Sequence, residues 1–259
     1  MRPLLCLGLL LASPLRVVAE PSCPLPGYAY VWGDEFDGVK LDEDRWEPHV
    51  GQRGPGRRLK QNVMLRDGQL VLTGRNGGGS AYLPFSTGEV SSRRLFRYGY
   101  YEARLRVPGV RGWQTLFCAA DARNDGARLG ILDNDSLWPD RYLSQLCWGD
   151  PSSLTSTLVS LDKQVKASGL SENFHIWGCE FTSERVRFFF EGRPVAVADV
   201  RSFQHGDLRV WLKVGVSFNP GYLGGTEAAT VEVAGHRIHA EVVSPAEASF
   251  DYVRVFVRK

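Results

Sequence analysis

The chain has 259 residues, 31 of them basic and 29 acidic, with a formal net charge of +2. That length suits one large all-β domain or two small ones. So even a balance excludes nucleic acid or an anionic membrane surface as the main partner, because both need concentrated positive charge.

The first residues read as an export signal. Arg2 gives a positive start, Leu4 to Ala12 form an apolar run, and Val17-Val18-Ala19 offers small residues before a cut. The run is far shorter than the roughly 20 residues a membrane-spanning helix needs, and no later stretch approaches that length. The expectation is a signal peptide over 1–19 and a single domain over 20–259, secreted to the extracellular space or the periplasm. Loss of Arg2 and Arg16 brings the basic count from 31 to 29, level with the acids. A monomer without a membrane span is expected.

Four cysteines follow the signal: Cys23, Cys118, Cys147 and Cys179. In an exported protein they permit two disulfides in any of three connectivities, while three of them lie in apolar runs where a buried free thiol fits as well. CxxC spacing is absent and the histidines are scattered, so no zinc site is expected.

Strand patterns then dominate. RGPGRRLK at 53–60 is the one basic cluster, and its glycines make it read as a solvated loop. QLVLT (69–73), YYEARLRV (100–107), VRFFF (186–190), RVWLKVGV (209–216) and YVRVFV (252–257) are rich in β-branched and aromatic residues, and several alternate. RDGQ (66–69), RNGGGS (75–80) and EGRP (191–194) read as turns. Ser153 to Gly169 is the best helix candidate, weakened by its Ser, Thr and Val content. Many short strands with no low-complexity linker and no repeat predict an all-β sandwich or jelly roll. The concave face of a curved sheet in such a fold receives every second side chain of its strands and suits an extended polymer. Trp113, Trp138 and Trp148 are candidates to stack on sugar rings.

Six segments in order then carry a family resemblance. WGDEFDG (32–38), DGQLVL (67–72), TGEVSS with FRYGYYEARLRVP (87–92, 96–108), GWQTLF (112–117), FHIWGCEFTSERVRFFFEGRPV (174–195) and FDYVRVF (250–256) resemble glycoside hydrolase family 16, the laminarinase, lichenase and agarase group. Phe117 stands where the family has a second Trp, and Glu180-Phe181 where it has Glu-Trp. The resemblance implies a concanavalin A-like jelly roll with a concave substrate groove.

The family's catalytic strand reads ExDxE or ExDxxE, and GILDNDS at 130–136 is the only candidate for it. Aligned as ExDxE, Ile131 occupies the nucleophile position, Asp133 the helper Asp and Asp135 the acid/base Glu. Aligned as ExDxxE, those positions hold Gly130, Leu132 and Asp135, which loses two groups rather than one. In the first alignment a period of two places 131, 133 and 135 on one face. A retaining mechanism needs a carboxylate to attack and a second to protonate the leaving oxygen. Ile131 cannot attack, and Asp135 is one methylene short, a shift of roughly 1 Å or more of the kind that costs about a hundredfold in rate. Glu102, Asp121 and Asp125 are candidate substitutes, each with a plainer role as a strand or loop acid. Asn134 opens an Asn-Asp-Ser sequon, but alternation turns it inward, so no glycan is expected.

Three functions follow as expectations. The leading one is binding of a β-linked glucan or galactan with hydrolysis weak or absent. Trp113, Phe117, Trp138 and Trp148 would stack on sugars, and Asp133, Asp135, Glu102 and Arg104 would bind hydroxyls. The second is an active retaining endo-glycosidase or transglycosylase. The third is a structural or protein-binding sandwich. No cofactor is required, although the resemblance implies a structural calcium in some relatives, with Glu35 and Asp251 at matching positions.

Overall fold

The computed structural model describes residues 20–80, 83–121, 126–149, 157–201, 203, 205–217, 230–233 and 235–259, without the side chains of 78–80, 148–149 and 157–160. Residues 1–19, on which the export signal rests, and Asp125 lie outside the described residues, as does the side chain of Trp148.

In chain order the strands are β1 (Tyr28–Asp34), β2 (Trp46–Pro48), β3 (Gly51–Arg53), β4 (Gly56–Arg58), β5 (Val63–Arg66), β6 (Gln69–Ser80), β7 (Leu83–Ser92), β8 (Gly99–Arg106), β9 (Trp113–Asp121), β10 (Arg128–Asp135), β11 (Arg141–Gly149), β12 (Thr157–Lys166), β13 (His175–Phe181), β14 (Arg185–Phe190), β15 (Arg193–Asp199), β16 (Leu208–Val216), β17 (Thr230–Val233), β18 (His236–His239) and β19 (Ala246–Arg258). The only helix among the described residues is a 3-10 turn at Lys60–Asn62.

Two antiparallel sheets form a jelly-roll sandwich. The back sheet runs β5-β6-β19-β8-β13-β14-β15, with β1 beside the second half of β19. The front sheet runs β2-β7-β16-β9-β10-β11-β12, and its outer face is concave. The end of β6 pairs with β7 and so ties one sheet to the other. Alternation builds the core between them. On β16, Val210, Leu212 and Val214 point inward beside Phe117 and Trp113, while Trp211 belongs to a separate outer cluster with Leu116, Cys118 and Ala120. Each fully buried large apolar side chain contributes about 1.5–3 kcal/mol relative to exposure.

Local chemistry sets the turns. Asp67 and Gly68 both have positive φ (53° and 71°), as do Glu191 and Gly192 (50° and 70°), the pairing that a two-residue hairpin needs. Three expectations are corrected. RNGGGS does not separate strands: it is the irregular end of β6, with a register shift between Asn76 and Ser80. The helix expected over 153–169 is replaced at 157–166 by β12, which pairs along β11 and sets Leu161 and Val165 against the core. The basic cluster at 53–60 is not a solvated loop, because the β3–β4 hairpin brings Arg53 and Arg58 to the buried Glu89. All four cysteines are free thiols.

Candidate functional site

Ladder partners lie side by side, so the registers define rows of side chains running across the front face. One row takes Glu89, Lys213, Leu116, Asp133, Leu143 and Gln164 from β7, β16, β9, β10, β11 and β12. The next takes Ser91, Trp211, Cys118, Gly130, Gln145 and Asp162 from the same strands. Gly215, Gln114 and Asp135 flank the first row. With strands about 4.8 Å apart, a six-strand row spans roughly 24 Å.

The centre of this floor is irregular. Between Gly130 and Asp133 the register of β10 slips against both neighbours. Leu132 sits opposite Phe117, and Leu132, Phe117 and Ile131 are all fully buried in the core. The carbonyl of Ile131 accepts a hydrogen bond from the Ser144 hydroxyl at 3.1 Å. One extra residue is accommodated as a bulge, which sends two successive side chains inward. The front face therefore receives Arg128, Gly130, Asp133 and Asp135. The expectation that 131, 133 and 135 share a face fails at Ile131, and the place it was to hold is filled by Gly130, which has no side chain.

Asp133 accepts from Gln114 Nε2 at 2.7 Å. Burial raises its carboxyl pKa, opposed by Arg128, by that hydrogen bond and by Lys213. Asp135 accepts from the Leu137 N–H at 2.9 Å and, through its other oxygen, from the Ser217 hydroxyl. Burial raises it too; those two bonds oppose the shift and the charge on Asp133 adds to it. Lys213 lies along the floor over Gly215, where a Cβ would stand 2.5 Å from its Cε, so a side chain there would push the end of the lysine aside. Burial and the nearby Arg53 bring the Lys213 ammonium down to about 8, against the opposing pull of Glu89 and Asp133. Glu89 is held by Arg58 at 3.0 Å. His49 stacks on Trp211, with ring centres 4.6 Å apart, and bonds to Ser91 at 2.9 Å. The indole N–H of Trp211 has no hydrogen-bond partner among the described residues.

Several sequence candidates lie elsewhere. Trp113 and Phe117 are fully buried in the core, where the Trp113 indole donates to the Val243 carbonyl at 2.6 Å, so neither can stack on a sugar. Glu102 and Arg104 alternate with inward Tyr101, Ala103 and Leu105, which puts them on the back face. There Glu102 accepts from Tyr100 at 3.2 Å and Tyr252 at 3.1 Å, and Arg104 pairs with Asp251 at 2.6 Å. Asp121 ends β9, five residues from Leu116, the partner of Asp133, or about 16 Å along the strand. Glu35 is held by two bonds of 2.8 Å from Arg254. Asp251 pairs with Arg104, and the described residues contain no cluster of three or more metal-binding side chains. Trp138 is half-buried in the turn after β10, with the Arg141 guanidinium 5.2 Å above its ring. Asn134 is buried and donates to the Arg141 carbonyl at 2.8 Å.

Sequence reasoning missed Lys213, Glu89, His49 and Trp211. The alternation of RVWLKVGV already sets Trp211 and Lys213 opposite three aliphatic residues, and Glu89 alternates with Val90 in the same way.

No family model matches the chain. It is 22% identical over 269 residues to the clotting factor G alpha subunit of Tachypleus tridentatus, covering 98% of this chain and 37% of that protein. It is 26% identical over 198 residues to a beta-glucanase of Acetivibrio thermocellus, covering 73% and 57%. The chain thus spans between about a third and three-fifths of these two relatives. Among solved structures, the catalytic domain of an endo-1,3-beta-glucanase (laminarinase) from Thermotoga petrophila superposes with a TM-score of 0.71 at 18% identity, covering 90% of this chain and 98% of that one. SCLam, a non-specific endo-beta-1,3(4)-glucanase from family GH16, gives 0.70 at 19%, covering 93% and 95%. The likeness read from the six segments is borne out in the fold: the chain has the jelly roll of the family 16 glycoside hydrolases.

Proposed function

We propose that this is an exported protein that holds a β-linked glucan or galactan across its front face and does not cleave it by the two-carboxylate retaining route. The observation that carries this reading is the bulge on β10. Retention requires two carboxyl groups about 5–5.5 Å apart on the substrate side of the strand. The front-face residue next to Asp133 in the direction of the missing nucleophile is Gly130, and Ile131 is in the core. Asp135 has one oxygen on the Leu137 N–H and the other on Ser217. What remains suits holding a sugar: Lys213, Gln114 and Gln145 to donate, Asp133 and Glu89 to accept, and the His49 ring as a flat cap over Trp211. The relatives named as glucanases support a β-glucan as ligand.

A second reading, active glycosidase, is favoured by one feature. Burial and the adjacent Asp133 charge both promote a proton on Asp135, as a general acid requires. Laminarin, lichenan, agarose and carrageenan separate the two. The expected result is retention of the protein on one polymer in affinity electrophoresis, with reducing ends released no faster than by Asp133→Asn. Release above that control overturns the binding-only reading; a folded protein retained by none of the polymers overturns both.

A further inference from the structure

The back face carries a second feature that the groove does not use. At one end of the back sheet an open cleft has two lobes. The larger, about 430 Å³, has Glu180, Arg185 and Arg187 on its walls, with the exposed Glu184 beside them; the smaller, about 230 Å³, has Tyr98 and Phe181; Tyr28 and Arg258 line both. The larger volume is within the range of small-ligand sites.

The chemistry of the walls is specific. Glu180 is nearly buried, accepts from Tyr28 at 2.9 Å and from Arg187 at 2.6 Å, and has Arg185 at 3.9 Å. That acid is therefore satisfied within the protein and leaves nothing for a cationic ligand. Arg258 is exposed at the junction of the lobes, held in place by the backbone pairing of Tyr28 with Arg258, and has no ion-pair partner among the described residues. Tyr98 is 40% exposed, with Phe181 and His205 in edge-on contact and the Arg97 guanidinium 5.8 Å from its ring centre. An aromatic platform beside an uncommitted guanidinium matches a ligand with one apolar ring face and one oxyanion.

We propose that this cleft is a second carbohydrate site, separate from the groove, which takes a sugar residue bearing an oxyanion, with its ring on Tyr98 and its charge on Arg258 and Arg185. A uronate and a sulfate ester share that chemistry. A guanidinium binds either through paired hydrogen bonds. The site does not depend on whether the groove binds or cleaves.

Titration of the isotope-labelled full chain with glucuronate, glucose 6-sulfate and neutral glucose, followed by amide chemical shifts, tests it. The expected result is shifts at Tyr98, Ser183 and Arg185 with at least one of the two anions and none with glucose. Which anion acts identifies the substituent. Arg258→Gln or Arg185→Gln, both at exposed positions, is expected to weaken binding about tenfold, the worth of one charge-assisted hydrogen bond. The groove variant Lys213→Met should leave it unchanged. Equal shifts with glucose, shifts confined to β9, β10 and β16, or no shifts at all overturn the proposal. Failure of the groove to bind polysaccharide does not touch it.

Discussion

The two outer faces of the sandwich both bury acids, and they do so in opposite ways. On the back, neighbouring side chains meet the acids: the buried Glu102 is met by Tyr100 and Tyr252, Glu180 by Tyr28 and Arg187, and the half-exposed Glu35 by Arg254. On the front, acid and base alternate across strands, with Glu89, Lys213 and Asp133 in one row, and the indole N–H of Trp211 left without a partner in the next. A buried polar group costs roughly 1–3 kcal/mol if unsatisfied, so a hydrogen bond supplied to the Trp211 indole would be favourable. Among the described residues, Glu102 and Glu180 on the back are satisfied within the protein, whereas the front face leaves the Trp211 indole N–H without a partner.

The sharpest way to break this contrast is at the bulge. Ile131→Glu places an unpaired acid in the core and is expected to cost about 3–5 kcal/mol in denaturant unfolding. Gly130→Glu, whose Cβ would meet the Gln145 Cβ at an ordinary 3.4 Å, should cost no more than about 1–2 kcal/mol. If the order of the two reverses, the residue facing the groove is Ile131 and the assignment of the faces around β10 is wrong.

A smaller effect compares the faces directly. Lys213→Met is expected to weaken polysaccharide binding about tenfold in affinity electrophoresis or calorimetry, since it removes one charged donor. Arg104→Ala, on the other face, should change it less than about twofold. Loss of binding in Arg104→Ala alone would move the site to the back.

The smallest effect is a pH profile. The folded-state pKa of Lys213 is lowered to about 8, so its ammonium is present below that value and lost above it. Groove affinity should therefore fall a few-fold as pH rises through about 8, and the fall should vanish in Lys213→Met. The stability contribution has the opposite sense. With the folded pKa below the unfolded one, it is complete above the unfolded pKa and is lost as pH falls through about 8. A flat affinity profile in the unmodified chain would remove Lys213 from the ligand.

Much of the fold was legible because its signals are local. Asp67-Gly68 needs only its own two residues to specify a hairpin, and the alternation of Val210, Leu212 and Val214 on β16 needs only one strand. The site was less legible because it depends on pairs of strands. A bulge is defined by the register of a strand against its neighbours, so nothing within GILDNDS announces that both Ile131 and Leu132 turn inward. Trp113 and Glu102 failed for a related reason. Proximity in sequence to a candidate strand says neither which sheet a residue joins nor which side of it the side chain takes. Asp133 does face the front because it lies beyond the slip, with regular pairing on to Asp135.

The place of β19 has a consequence for how the molecule forms. β19 has β8 along one edge and β6 followed by β1 along the other, so the middle of the back sheet joins segments from both ends of the described chain. The Arg254–Glu35 pair alone spans 219 positions. Contacts so distant in sequence must close large loops before they gain anything, which makes this a slow folder. Until β19 docks, the edges of β1, β6 and β8 offer unpaired backbone to other chains, so refolding yield should depend steeply on protein concentration.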